Sequence, residues 1–90
     1  MSNANFKEFR SKDGHTSILF SYNTLVAFHE SGSKPVITER KYSVTTSKHV
    51  NQWLRKNFGS TKAALVVSHD AFTRIAESLL AEKAAELFVR

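Results

Sequence analysis

Thr45-Thr46-Ser47-Lys48-His49-Val50-Asn51-Gln52-Trp53-Leu54-Arg55-Lys56-Asn57-Phe58-Gly59 is the stretch in which the hydrophobic period of this chain changes. Upstream of it, apolar residues recur at every second position. Within it, Val50, Trp53, Leu54 and Phe58 recur at every third or fourth, the spacing of one stripe along an α-helix. The hydroxyl run opens the stretch, because a Ser or Thr oxygen accepts a bond from a helical N–H that otherwise has no partner. Gly59 closes it, where a helix end takes the left-handed conformation that glycine adopts at no steric cost. A helix over about 47–58 that follows a β region sets the class as α+β.

Working outward, residues 16–30 alternate: Phe20, Tyr22, Thr24, Val26 and Phe28 share one parity, with Ser21, Asn23 and His29 on the other. The phase runs through Asn23-Thr24 unbroken. That predicts one long strand with a local bulge in preference to a two-residue turn. Phe20, Tyr22, Val26 and Phe28 are then expected on one side, towards the helices. Ser31-Gly32-Ser33-Lys34-Pro35 reads as a turn, and the β-branched and aromatic residues of 36–43 as the partner strand. A first strand is expected at 5–10, followed by an Asp13-Gly14 turn.

Downstream, Ala63-Ala64-Leu65-Val66-Val67 is too short and too uniformly apolar for periodicity to divide strand from helix; a short strand is the reading preferred. Ser68 caps a second helix, about 69–88, with Phe72, Ile75, Ala76, Leu79, Leu80 and Leu87 as its buried face. The expected architecture is a two- or three-stranded antiparallel hairpin or meander, with a short extra strand at 63–67, packed by two helices in one domain over 1–90.

Composition narrows the classes of function. A chain of 90 residues buries about 60–65% of the surface its unfolded form exposes, which leaves little room for a deep substrate pocket. There is no cysteine, so disulfides, thiolate catalysis and cysteine-ligated zinc are excluded. The longest apolar run is residues 63–67, far short of the ~20 that cross a bilayer. Met1-Ser2-Asn3-Ala4-Asn5 has no signal-peptide character. A cytoplasmic location is the expectation.

Ser68-His69-Asp70 holds the three residue types of a hydrolytic triad, but neighbours at a helix start diverge by ~100° each and cannot converge on one substrate atom. A Ser cap with an Asp at the positive end of the helix dipole explains them. His15, His29, His49 and His69 show no helical i, i+4 ligand pairing, so no metal or other cofactor is expected. The acids are few and scattered, and Gly32-Ser33-Lys34 lacks the spacing of a phosphate loop. The chain is read as not an enzyme.

The formal net charge is +5, and it is concentrated. Between Glu39 and Asp70 there is no acid, while Arg40, Lys41, Lys48, Arg55, Lys56 and Lys62 all fall there. With the apolar stripe at 50, 53, 54 and 58, the residues Lys48, Asn51, Gln52, Arg55 and Lys56 occupy the faces turned away from it. Lys and Arg meet phosphates, and Asn and Gln read base edges. Backbone N–H groups at the helix start, beside Lys48 and His49, favour an anion. The candidate binding residues are therefore Arg40, Lys41, Lys48, His49, Asn51, Gln52, Arg55 and Lys56. An ordinary solvated helix face that happens to be basic is the competing explanation.

Ser21-Tyr22-Asn23-Thr24-Leu25-Val26-Ala27 and Lys41-Tyr42-Ser43-Val44-Thr45-Thr46-Ser47-Lys48-His49-Val50-Asn51-Gln52-Trp53-Leu54 carry a resemblance. The chain resembles small phage and mobile-element proteins of unassigned function with an S-Y-x-T-x-V-A strand and a Y-S-x-T-T-S-K-H-x-N-x-W-L strand-to-helix junction. The resemblance covers about residues 16–58, with 66–80 fitting loosely, and implies origin and fold but no catalytic residues. The expected function is a non-enzymatic phage accessory protein that binds nucleic acid or nucleic-acid machinery through the basic helix face. The alternative is a stoichiometric inhibitor of a host defence protein, in the manner of anti-CRISPR proteins. No membrane partner is expected, and homo-oligomer formation stays open.

Overall fold

The computed structural model describes residues 6–22, 24–83 and 87–89. The elements are β1 (Phe6–Ser11), β2 (Thr16–Ser21), β3 (Thr24–Glu30), β4 (Val36–Thr38), α1 (Val44–Phe58), a 3-10 turn (Thr61–Ala63), β5 (Leu65–Val67), α2 (His69–Lys83) and β6 (Leu87–Val89). The strands form one mixed sheet in the order β5-β4-β3-β2-β1-β6. Among the described strands, only β4 and β5 run parallel, and α1 is in the crossover between them. The class is α+β, but the sheet has six strands where two or three, with a short extra one at 63–67, were expected.

The extra strands have separate causes. Residues 16–30 are not one strand: Ser21 pairs with Thr24, so the chain reverses between them, with Tyr22 at φ 53°. Asn23 itself lies outside the described residues. A bulge then shifts the register between Leu19↔Ala27 and Phe20↔Leu25, and skips Val26. A two-residue reversal inverts which parity of β3 shares a face with β2. One extra residue inverts it again. The two inversions cancel, so the sequence alternates as though uninterrupted.

The expectation that Phe20, Tyr22, Val26 and Phe28 face one side is corrected accordingly. Phe20 and Phe28 belong to the cluster of Ile18, Phe72, Ala76 and Leu79. Val26, the skipped residue, joins Leu19, Ala27, Val50, Trp53 and Leu54. Tyr22 is half exposed. Neighbouring Ile18 and Leu19, both 0% exposed, point to opposite faces of β2. The sheet is therefore covered on both faces, by α1 on one and α2 on the other. A strand buried on both faces reads as an apolar run and not as an alternation.

Strand β4 stops at Thr38, well short of 43, because the Thr38 hydroxyl accepts the Arg40 N–H at 3.1 Å and turns the chain out of the ladder. Helix α1 starts at Val44 and not at 47: its cap is Ser43, whose hydroxyl accepts the Thr46 N–H at 3.2 Å. Gly59 ends it at φ 81°, donating to the Arg55 carbonyl at 3.1 Å. The second helix begins as expected, with Ser68 Oγ accepting from the Ala71 N–H at 3.3 Å. As described it runs to Lys83, and Leu87 and Phe88, expected at its end, instead belong to β6 along β1, while residues 84–86 lie outside the described residues. Leu87-Phe88-Val89 has the bulky apolar composition a strand prefers. Phe72, Ala76 and Leu79 are buried as expected, but Ile75 is 44% exposed. The 63–67 segment does supply a strand, β5, and the 31–35 turn and the Asp13-Gly14 turn stand where they were read.

Candidate functional site

Helix α1 positions most of the candidate binding residues. Its inner stripe of Val50, Trp53 and Leu54 is buried against Leu19, Val26 and Ala27, which fixes its rotation about its axis. Lys48, Gln52, Arg55 and Lys56 are consequently exposed, with Asn51 half-buried at the margin. At 100° per residue these five occupy an arc of about 140° on the outer side. The helix contains no acidic residue. Among the described residues the ion pair is Arg10–Glu8, on β1, and none involves Lys48, Arg55 or Lys56. Arg55 and Lys56 also fall in the last turn, where the helix dipole favours cations.

The remaining candidates separate from this strip. His49 is buried: its Nδ1 lies 3.3 Å from Ser21 Oγ, which is 3.0 Å from Thr46 Oγ1. Tyr22 leans over the same imidazole, with ring centroids 6.5 Å apart. The Ser-Tyr pair at the end of β2 and the Thr-Thr-Ser-Lys-His run of α1 thus meet in space, and this polar cluster ties the hairpin tip to the helix start. A serine–histidine pair of this kind is no nucleophile, since Ser21 is 1% exposed and out of reach of a substrate. Arg40 turns to the start of α2. Its Nη1 donates to His69 Nε2 at 3.3 Å, which leaves Nδ1 to donate to Thr38 Oγ1 at 3.1 Å. Lys41 is exposed between the two. Tyr42 packs against the α1-side cluster, and burial raises its hydroxyl above its ordinary value of 10, with Arg40 opposing the shift.

A second feature, invisible in the sequence, lies on the inner side of α1. Register places Glu8 and Arg10 of β1 on the same face as Leu19 and Ser17 of β2, and His29 of β3 opposite Ser17. These side chains form a polar row that continues the apolar α1-side core. With Trp53, Asn57 and Phe58 they line a cavity of about 180 Å³. Phe58 meets both the Trp53 ring (5.2 Å) and the His29 ring (4.7 Å) edge-on. Two donors here, Arg10 Nε and Trp53 Nε1, are buried without a hydrogen-bond partner in the protein. The only sequence signal for this row is the shared parity of Glu8 and Arg10. Its convergence with Ser17 and His29 depends on strand register.

Fold and sites together define a small α+β protein with a sheet sandwiched between two helices, one of them basic on its outer side. Among the described residues, no helix is long and apolar enough to cross a membrane, and no three His, Asp or Glu side chains come together as a metal site would require. The chain belongs to the family of unknown function DUF8033, which matches residues 1–73. That match takes in all of the 16–58 region that carries the resemblance noted above. No curated protein and no solved structure matches the chain.

Proposed function

We propose that this is a non-catalytic binding protein of phage or mobile-element origin, which docks on nucleic acid through the outer face of α1. The observation that carries the reading is the strip of Lys48, Gln52, Arg55 and Lys56, exposed together on a helix without acids and, among the described residues, with no ion pair to its cations. Core packing and capping account for Val50, Trp53, Leu54, Ser43 and Gly59, and leave this strip unexplained. Lys48, Arg55 and Lys56 supply phosphate contacts, and Gln52 and Asn51 lie between them for base edges. Three neutralised phosphates on duplex DNA give a slope of about −2.7 in log K against log salt.

A fluorescence-anisotropy titration of labelled DNA and RNA across a salt series tests this. Replacing Arg55 and Lys56 together with Ala weakens binding and flattens the slope by about 1–2 units. Absence of salt-dependent binding to either nucleic acid ends the reading.

The second reading, stoichiometric inhibition of a host defence protein, draws support from the opposite end of α1. Tyr22 at 50% exposure and Val44 at 74% sit near the helix start, and Tyr22 holds a backbone conformation that side chains rarely adopt. Exposed aromatics of this kind anchor protein interfaces. This reading predicts one host protein in a complex that survives nuclease, with no affinity for purified nucleic acid.

A further inference from the structure

The outer side of α1 carries more than charge. Val44, in its first turn, is 74% exposed. At 100° per residue it falls inside the arc of about 140° that holds Lys48, Asn51, Gln52, Arg55 and Lys56. Val44, Lys48 and Gln52 follow one another at intervals of four, so they stand on one ridge. All three are exposed, with Lys48 and Gln52 near the crest of the arc. From Val44 to Gln52 the helix rises about 12 Å, the length of three to four base pairs at ~3.4 Å each. Core packing explains neither the amide nor the bare valine on this ridge.

The form of nucleic acid follows from what this side has and lacks. Single strands and RNA loops are held by bases stacked on aromatic rings. The rings of α1 are turned inward, with Trp53 3% exposed and Phe58 packed against the α1-side cluster. A ridge of ammonium, amide and methyl groups gives a base nothing to stack on and matches the edges of stacked pairs instead. Among duplexes, the major groove of A-form RNA is too deep and narrow for side chains to read. That of B-form DNA, about 12 Å wide, admits a helix of about 10–12 Å diameter. The second helix packs on the opposite face of the sheet and leaves the outer side of α1 clear.

Taking the outer face of α1 as the nucleic-acid face, we propose that this helix enters the major groove of B-form duplex DNA and reads a site containing A·T pairs. Gln52 bonds an adenine through N6 and N7, and Val44 meets a thymine methyl further along the groove. Lys48 and, in the last turn, Arg55 and Lys56 meet phosphates.

Fluorescence anisotropy of the full chain with four labelled probes of equal length separates the forms: an A·T DNA duplex, a G·C DNA duplex, an RNA duplex and single-stranded DNA. The A·T DNA duplex is expected to bind roughly tenfold tighter than each of the others. Two changes to that duplex then probe single groups in its major groove without touching a phosphate. Replacing adenine by 7-deazaadenine removes the N7 acceptor, and replacing thymine by uracil removes the methyl group. Each weakens binding by roughly three- to tenfold. Gln52→Ala binds the adenine and 7-deazaadenine duplexes alike, and Val44→Ser binds the thymine and uracil duplexes alike. Both variants alter exposed residues, so their circular dichroism matches that of the parent chain. Absence of binding to all four probes ends the nucleic-acid reading and this proposal with it. Salt-dependent binding in which the RNA duplex or the single strand equals the A·T duplex, or in which 7-deazaadenine makes no difference, leaves the nucleic-acid reading standing and overturns the major-groove proposal alone.

Discussion

Leu54 and Arg55 are neighbours in sequence, and the structure sends them to opposite environments, which makes a paired substitution decisive. Leu54 is 0% exposed, in the cluster with Leu19, Val26 and Trp53. Leu54→Ala removes three carbons, worth about 2.4 kcal/mol in transfer terms, and leaves a cavity that raises the cost to about 3–4 kcal/mol. The better helix propensity of Ala returns only a few tenths. A chain of 90 residues has a total stability of roughly 5–13 kcal/mol, so this one change removes a large share of it. The midpoint of thermal unfolding falls by about 12–30 °C.

Arg55→Ala, on the exposed side of the same turn, stays within about 0.5 kcal/mol. Urea unfolding followed by the single Trp53 reports both, and the slope of free energy against denaturant stays unchanged for each. A cost below about 1 kcal/mol for Leu54→Ala refutes the packing of α1 on the sheet. A cost above that for Arg55→Ala refutes the rotation that exposes the basic strip.

Other consequences follow from local geometry. Gly59→Ala costs about 1 kcal/mol by urea unfolding through backbone conformation alone, since φ is +81° and a Cβ there meets nothing within 4 Å. Tyr22→Asn raises stability by up to about 1 kcal/mol, because Asn tolerates the φ of 53° that Tyr22 adopts. Ser43→Ala removes the cap of α1 and costs about 1 kcal/mol, seen as loss of helical circular dichroism at lower urea. The hydrogen bonds from the Ser11 hydroxyl and then the His15 N–H hold the Asp13 carboxyl below its ordinary value. A lowered folded-state value means stability that is present above the unfolded value near 3.9 and lost as pH falls through the folded one. Asp13→Asn keeps the turn chemistry and removes this part of the acid sensitivity, so its acid unfolding curve is flatter below about pH 4.

The sequence by itself determined the parts that local chemistry controls. Val50, Trp53 and Leu54 set the stripe of α1, Gly59 its end, Ser68 the start of α2, and the turns at 13–14 and 31–35 followed from their Gly and Pro residues. Once that stripe was placed, exposure of Lys48, Gln52, Arg55 and Lys56 followed from helical geometry alone.

What only tertiary structure decided is everything that depends on register between segments far apart in the chain. The reversal after Ser21 and the bulge at Val26 each invert side-chain parity, and together they erase their own signal from the sequence. The same register buries His49 against Ser21 and turns Arg40 to His69, separating both from the strip to which their charge had assigned them. It also lines Glu8, Arg10, Ser17 and His29 along one face under Trp53. A side chain's face is a local property, whereas its neighbours across a sheet are set by pairings that the residues on either side of it do not encode.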